Sequence, residues 1–244
     1  MDVIECAIKS LGLNDVIPFD PETRIIEYAI KGNDRPLINM SGKKFLDELS
    51  RSSPAPGGGS VAAMVGAMAA ALSSMVSSLN YGKKDYFNQR NLFEDAGKKS
   101  QNLKDDLKYL FDEDTHSFNR IIEANRLPEK NEQEKEQKIV KKQGAIKYAI
   151  DVPLSTAKNC FSILEIIQLI IPKVDHNSIS DLGVSSEIAM AAVRSACMNV
   201  WINLNDVDSN QYRKKLISKT EKLIEDSKEI HNSNIDFIKN VIYD

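Results

Sequence analysis

Apolar residues recur at three- and four-residue spacing along most of the chain, and strict alternation is nowhere sustained, so the pattern predicts helices and no sheet. Asp2 is placed to cap a short helix running to Leu11, and the Pro-punctuated "PFDPETRIIEYAI" leads into a second. After the linker "KGNDRPLINMS", Ser41 caps "KKFLDELSR". Longer helices are predicted over 60–79, ended by Tyr81 and Gly82, over 85–124, and over 133–171 after the break at "RLPEKNEQ". Pro153 falls inside the third of these and is expected to kink or split it. Two more helices fit 182–204 and 209–242, on either side of "NDVD". The fold class expected is all-α, a multi-helix bundle.

Among these helices, "SSPAPGGGSVAAMVGAMAAALSSMV" departs from the pattern. Ala62, Ala63, Gly66, Ala67, Ala70, Ala71 and Ser74 make the helix small on nearly every side, which suits the middle of a bundle or a subunit contact, where backbones approach closely. Before it stand Pro56, Gly57, Gly58, Gly59 and Ser60, with two meanings open. One is a flexible linker. The other is a ligand cradle, in which glycines let a substrate reach the backbone while the first N–H groups of the helix stay free to donate. Pro54 and Pro56 stiffen the entry, and no Lys-Ser/Thr ending follows, so this is not a nucleotide P-loop.

Composition narrows the partners. A formal net charge of -3 over 244 residues supplies no basic field for nucleic acid, and the pairs Lys83–Lys84 and Lys141–Lys142 are short. Cys6, Cys160 and Cys197 form no CxxC pair and are odd in number, which reads as reduced thiols in a reducing compartment. The start lacks a signal-peptide pattern, and the most apolar runs, around 61–72 and 163–171, read as too short or too rich in Ala and Ser to span a bilayer. A cytoplasmic protein with no membrane partner is expected. His116, His176 and His231 have no ligand-like spacing, so no metal site is expected, and no GxSxG or Cys/His pair points to covalent catalysis.

Asp114 is the first candidate for chemistry. On a helix, Leu103, Leu107, Leu110, Phe118 and Ile121 fall within about 40° of it, so this acid lies in an apolar stripe. Desolvation raises a carboxyl toward the range useful for acid–base work, while the plainer reading is a structural acid bonded to a helix cap or an Arg. Asp105, Asp112 and Glu113 fall on faces that read as solvated, and His116 as a surface residue. Farther on, Ser180 and Asp181 stand in capping position, Gly183 at close-packing spacing, and Asn199 and Asn203 one turn apart in mid-helix, which is unfavourable unless they bond something. Arg194 and Trp201 read as packing or surface residues.

"SSPAPGGGSVAAM", "LNYGKKDYFN", "FDEDTHSF", "ISDLGVSS" and "NVWINL", in this order, resemble the formimidoyltetrahydrofolate cyclodeaminase family: the cyclodeaminase half of formiminotransferase-cyclodeaminase and its stand-alone bacterial relatives. The likeness divides the chain into 1–40, similar to the junction at the end of the transferase half, and 41–244, the helical cyclodeaminase domain. The resemblance implies a subunit of the methenyltetrahydrofolate cyclohydrolase-like fold that forms a homodimer or larger homo-oligomer. It also implies closure of 5-formimidoyltetrahydrofolate to 5,10-methenyltetrahydrofolate with loss of ammonia, late in histidine breakdown, and formimino transfer by a separate formiminotransferase. No cofactor is implied beyond the folate substrate. The family's catalytic aspartate matches Asp114. Its substrate-binding positions match Pro56, Gly57, Gly58, Gly59 and Ser60, with Ser180, Asp181, Gly183 and Asn199 toward the pterin edge and Lys83 and Lys84 toward the glutamate or polyglutamate tail. A methenyltetrahydrofolate cyclohydrolase and a non-catalytic helical scaffold are the alternatives.

Overall fold

The computed structural model describes residues 10–13 and 36–243. The short helices expected within 1–40 lie outside the described residues, apart from a turn at 11–13. By its contacts the chain divides into two units, Met1–Ser41 and Gly42–Asp244. The first shows one 3-10 turn, Leu37–Asn39.

The second unit holds helices α1 (Gly42–Leu49), α2 (Gly58–Tyr81), α3 (Arg90–Asn125), α4 (Glu132–Ile170), α5 (Ile179–Asn203) and α6 (Asn210–Tyr243), with no strand among the described residues. Helix α2 packs on α3, α4 and α5, α3 and α5 also pack on α4, and α6 lies against α4 and α5. Its small residues make this possible. A Cβ built on Gly66 would stand 2.5 Å from Cys160 Sγ and 3.3 Å from Leu107, so three helices converge at a position that has no room for a methyl group. Cys160 and Cys197 are free and buried, and burial holds both thiols above their ordinary range, Cys197 at about 12. Cys6 lies outside the described residues.

Several boundaries differ from the pattern for identifiable reasons. Helix α2 begins two residues early, with Gly58 and Gly59 in its first turn and Gly57 as an extended N-cap. Residues Lys84–Gln89 form a 3-10 segment before α3. Ser180 and Asp181 are not caps: α5 already starts at Ile179, and the preceding turn is closed by Asp175, whose side chain accepts from Asn177 N at 3.0 Å. Helix α4 is started by Asn131, which accepts from Glu134 N at 2.8 Å, while Glu134 reaches back to Lys130 N.

Helix α4 runs through Pro153 as one element. Proline removes the N–H that would bond the carbonyl four residues earlier, here Ala149. Asn203 Nδ2, from α5, donates to that carbonyl at 2.7 Å. Around this bond Ile146, Ile150, Leu154, Val200, Leu204 and Leu216 form a buried cluster, with Trp201 packed on it and bonded through Nε1 to Thr220 Oγ1 at 2.7 Å.

Helices α2 and α4 are both long and apolar enough to cross a membrane by length and composition. The helix that holds the apolar run around 61–72 spans Gly58–Tyr81, two residues more at each end than the expected 60–79, and over half of each helix's most apolar stretch is buried inside the bundle.

Candidate active site

The start of α2 leaves backbone N–H groups without partners in their own helix, and Gly57 has no side chain to cap them. Asp114 of α3 does so from across the bundle. Its Oδ2 accepts from Ser60 N at 2.7 Å and from Ser60 Oγ at 3.0 Å, and Ser60 itself is fully buried. Thr115 Oγ1 lies 3.5 Å from Ser60 Oγ. The other carboxylate oxygen lies over Gly59, where a built Cβ would stand 2.0 Å from Oδ1. Glycine is needed here because the carboxyl occupies the space of a side chain.

Burial raises the Asp114 pKa, and the two bonds from Ser60 lower it but do not cancel the effect of burial. The carboxyl is therefore both a cap for α2 and an acid whose proton is held more tightly than in water. Asn199 completes this end: its amide Nδ2 donates to Ser195 O at 2.8 Å, and it faces Gly58, where a built Cβ would make only ordinary contact at 3.5 Å. Gly57, Gly58, Gly59, Ser60, Asp114 and Asn199 are thus gathered at one end of the α2/α5 pair. Pro56, buried just before them, follows a cis peptide bond.

The neighbouring acid was missed by the pattern. Glu113 is only 7% exposed, not solvated, and its carboxyl accepts from the Tyr148 hydroxyl on α4 and pairs with His116 Nδ1 at 3.0 Å. Arg120 stacks over the Tyr148 ring, 4.2 Å from its centroid. Burial pushes the Glu113 pKa up, but the bonds to His116 and Tyr148 and the nearby charges of His116 and Arg120 together hold it below the usual range. Consecutive carboxylates are therefore perturbed in opposite directions. Nothing within α3 signals the burial of Glu113, since Tyr148 comes from another helix.

The remaining expected site residues are not near Asp114. Lys83, Lys84, Ser180 and Asp181 sit at the opposite end of α2 and α5, and Gly183, one turn further along α5, faces Ile238. From Ser60 to Tyr81 the helical rise is about 32 Å, and from Ser180 to Asn199 about 28 Å. This far end has its own network. Asn80 is buried, accepts from Asp175 N at 2.9 Å and donates to Ser178 Oγ at 3.4 Å. Lys83 Nζ pairs with Asp175 Oδ2 at 2.7 Å, and Ser178 Oγ donates to the same oxygen. Burial raises the Asp175 pKa, but Lys83 and Ser178 outweigh it and hold the group low.

The described residues thus form an all-helical bundle with a buried carboxyl at a glycine-led helix start, and comparison with known proteins places it. Residues 41–222 match the family model described as formiminotransferase-cyclodeaminase, and the chain belongs to that family. The methenyltetrahydrofolate cyclohydrolase of Methylorubrum extorquens is 33% identical over 204 residues, covering 84% of this chain and 98% of the relative. The formimidoyltransferase-cyclodeaminase of Gallus gallus is 30% identical over 93% of this chain, which spans only 42% of that longer protein. The crystal structure of formiminotetrahydrofolate cyclodeaminase from Thermotoga maritima superposes with a TM-score of 0.74 at 24% identity, over 84% of this chain and 98% of that one, and shares the fold.

Proposed function

We propose that the chain closes 5-formimidoyltetrahydrofolate to 5,10-methenyltetrahydrofolate, releasing ammonia. The observation that carries this reading is the Asp114 carboxyl, held at the glycine-led start of α2 with its pKa raised by burial. In the reaction, folate N10 attacks the formimino carbon and loses its proton, while the formimino nitrogen gains protons and leaves as ammonia when the carbon–nitrogen double bond of the methenyl bridge forms. Overall the substrate takes up one proton and becomes the methenyl cation plus ammonia. One carboxyl can accept the N10 proton and return it to the leaving nitrogen, provided its pKa lies nearer the working pH than that of an exposed aspartate. Loop 56–60 would seat the reacting end of the folate, with no side chain on Gly57 or Gly58 to obstruct it. Asn199 would bond the pterin edge.

Residues 1–40 are read as a segment resembling the junction of the two-activity relatives, since the likeness to the Gallus gallus protein covers 93% of the chain and so reaches beyond the family match at 41–222.

A second reading has its own support: the Methylorubrum extorquens relative, matched over 98% of its length, is a cyclohydrolase. That reaction opens the methenyl bridge with water and needs the same pocket. Supplying purified protein with 5-formimidoyltetrahydrofolate and following methenyltetrahydrofolate absorbance together with free ammonia separates the two. Matched enzyme-dependent production of both is expected. Silence there, with accelerated loss of added methenyltetrahydrofolate, selects the cyclohydrolase, and silence in both assays selects a scaffold.

A further inference from the structure

Helices α3 and α4 run antiparallel on either side of the turn at 126–131. Between the Glu113–Tyr148 bond and that turn they leave a groove of about 350 Å³, a size that suits a small ligand. On α3 its lining repeats at helical spacing, from Arg120 through Glu123 and Ala124 to Leu127, and on α4 it runs from Lys141 to Tyr148. Because the helices are antiparallel, Arg120 stands at the Tyr148 end and Lys141 at the Leu127 end, about 10 Å apart along the helix axes, with Glu123 between them. The floor in the middle is small: Ala124 and Ala145 are buried, and a Cβ built on Gly144 would meet nothing within 4 Å.

The Arg120 end is held from inside the bundle. Glu113 is buried and takes no part in the proposed folate chemistry. Its carboxyl accepts from the Tyr148 hydroxyl, and the ring fixed in this way carries the Arg120 guanidinium on its face, 4.2 Å from the centroid. A guanidinium that lies flat on a ring keeps its edge donors for a planar carboxylate. Among the described residues, the side chains of Arg120, Glu123 and Lys141 make no hydrogen bond and no salt bridge. Two cations and one anion thus line one groove unpaired, on the Glu113 side of α3, about 100° round the helix from Asp114.

We propose that this groove binds a small amino dicarboxylic acid, of the size of aspartate or glutamate. One carboxylate lies on the Arg120 guanidinium, the other on Lys141 Nζ, and the ammonium on the Glu123 carboxylate. The match is charge for charge, since such a ligand carries two anions and one cation against the groove's two cations and one anion. A dicarboxylate without an amine would leave Glu123 facing only acids, and an amino acid with one carboxylate would leave one of the cations without a partner. The site goes beyond the folate reading and stands or falls without it.

Equilibrium dialysis of the full chain against labelled L-glutamate and L-aspartate tests the site. Glutarate, which lacks the amine, and γ-aminobutyrate, which lacks one carboxylate, serve as competitors. Saturation at one amino dicarboxylic acid per chain is expected, with a Kd below about 1 mM for at least one of the two and competition at least 10-fold weaker from either analogue. Lys141 is exposed, so Lys141→Ala should fold normally and weaken binding at least 5-fold. Glu123→Gln should abolish the preference over glutarate without weakening glutarate itself. Absence of saturable binding of both labelled acids up to about 10 mM overturns the site. So does glutarate competing as well as the amino acids do, or binding that Lys141→Ala and Glu123→Gln both leave unchanged.

Discussion

Asn203 donates its side-chain amide to the Ala149 carbonyl at 2.7 Å, the one backbone acceptor in α4 that Pro153 deprives of its usual partner. A side chain from α5 thus repairs α4 and keeps it continuous under the core cluster that links these helices to α6.

Removing that amide should therefore cost more than its own packing. Asn203→Ala leaves a carbonyl unpaired among buried side chains, and a loss of about 1–3 kcal/mol in unfolding free energy is expected from denaturant titration. Adding Pro153→Ala restores an N–H within the helix and should recover most of the loss. A strictly additive double variant would show that the two residues are not coupled in this way.

Asp114→Asn keeps an acceptor for Ser60 but removes the exchangeable proton. Turnover is expected to fall by about 10²–10⁴-fold, the usual weight of a general acid–base group. Thermal melting should be unchanged or slightly higher at neutral pH. The sign follows from the raised pKa: the native state holds this proton more tightly than the unfolded chain, so stability declines as pH rises between the unfolded and folded values, and the amide removes that penalty. A variant that melts far below the wild type would make Asp114 chiefly a structural cap.

Glu113 should respond with the opposite sign. Its folded pKa is lowered, so the stability it contributes is present above the unfolded value and is lost as pH falls through the folded one. Denaturant titrations in acid should show a shallower loss of stability for Glu113→Gln than for the wild type, and Asp114→Asn should not reproduce that change.

The adjacent glycines separate binding from catalysis. Gly59→Ala places a methyl group against Asp114 Oδ1, so the carboxyl must rotate away from Ser60; kcat should fall at least 10-fold, and the lost cap on α2 should cost about 1–2 kcal/mol of stability. Gly58→Ala meets only Asn199 at ordinary contact distance and should act, if anywhere, on KM. Steady-state kinetics on the two variants checks the split.

The pattern of apolar positions is enough to place the long helices and to set Asp114 in a buried stripe, because both depend on one period along one helix. What it cannot carry is partnership between helices. Glu113 looked solvated because Tyr148 is on α4, Pro153 looked like a break because Asn203 is on α5, and Gly58 looked no less demanding than Gly59 until the carboxyl above the latter was in view. Lys83, Ser180 and Asp181 show another limit. Motif order says nothing of distance, and a helix of more than twenty residues separates its ends by about 30 Å however close they seem in a list of motifs.

The opposite behaviour of Glu113 and Asp114 also sets what kinds of genetic change α3 can absorb. Successive side chains leave a helix about 100° apart, so the angular register of α3 alone decides which acid meets Ser60 and which meets Tyr148. A one-residue insertion just before Glu113 would bring the longer glutamate to the crowded spot over Gly59, carry the aspartate a further 100° round to the place of Thr115, and leave the Tyr148 hydroxyl without its carboxylate. Drift by substitution is open to this helix, whereas drift in length between its core contacts and these two acids is closed.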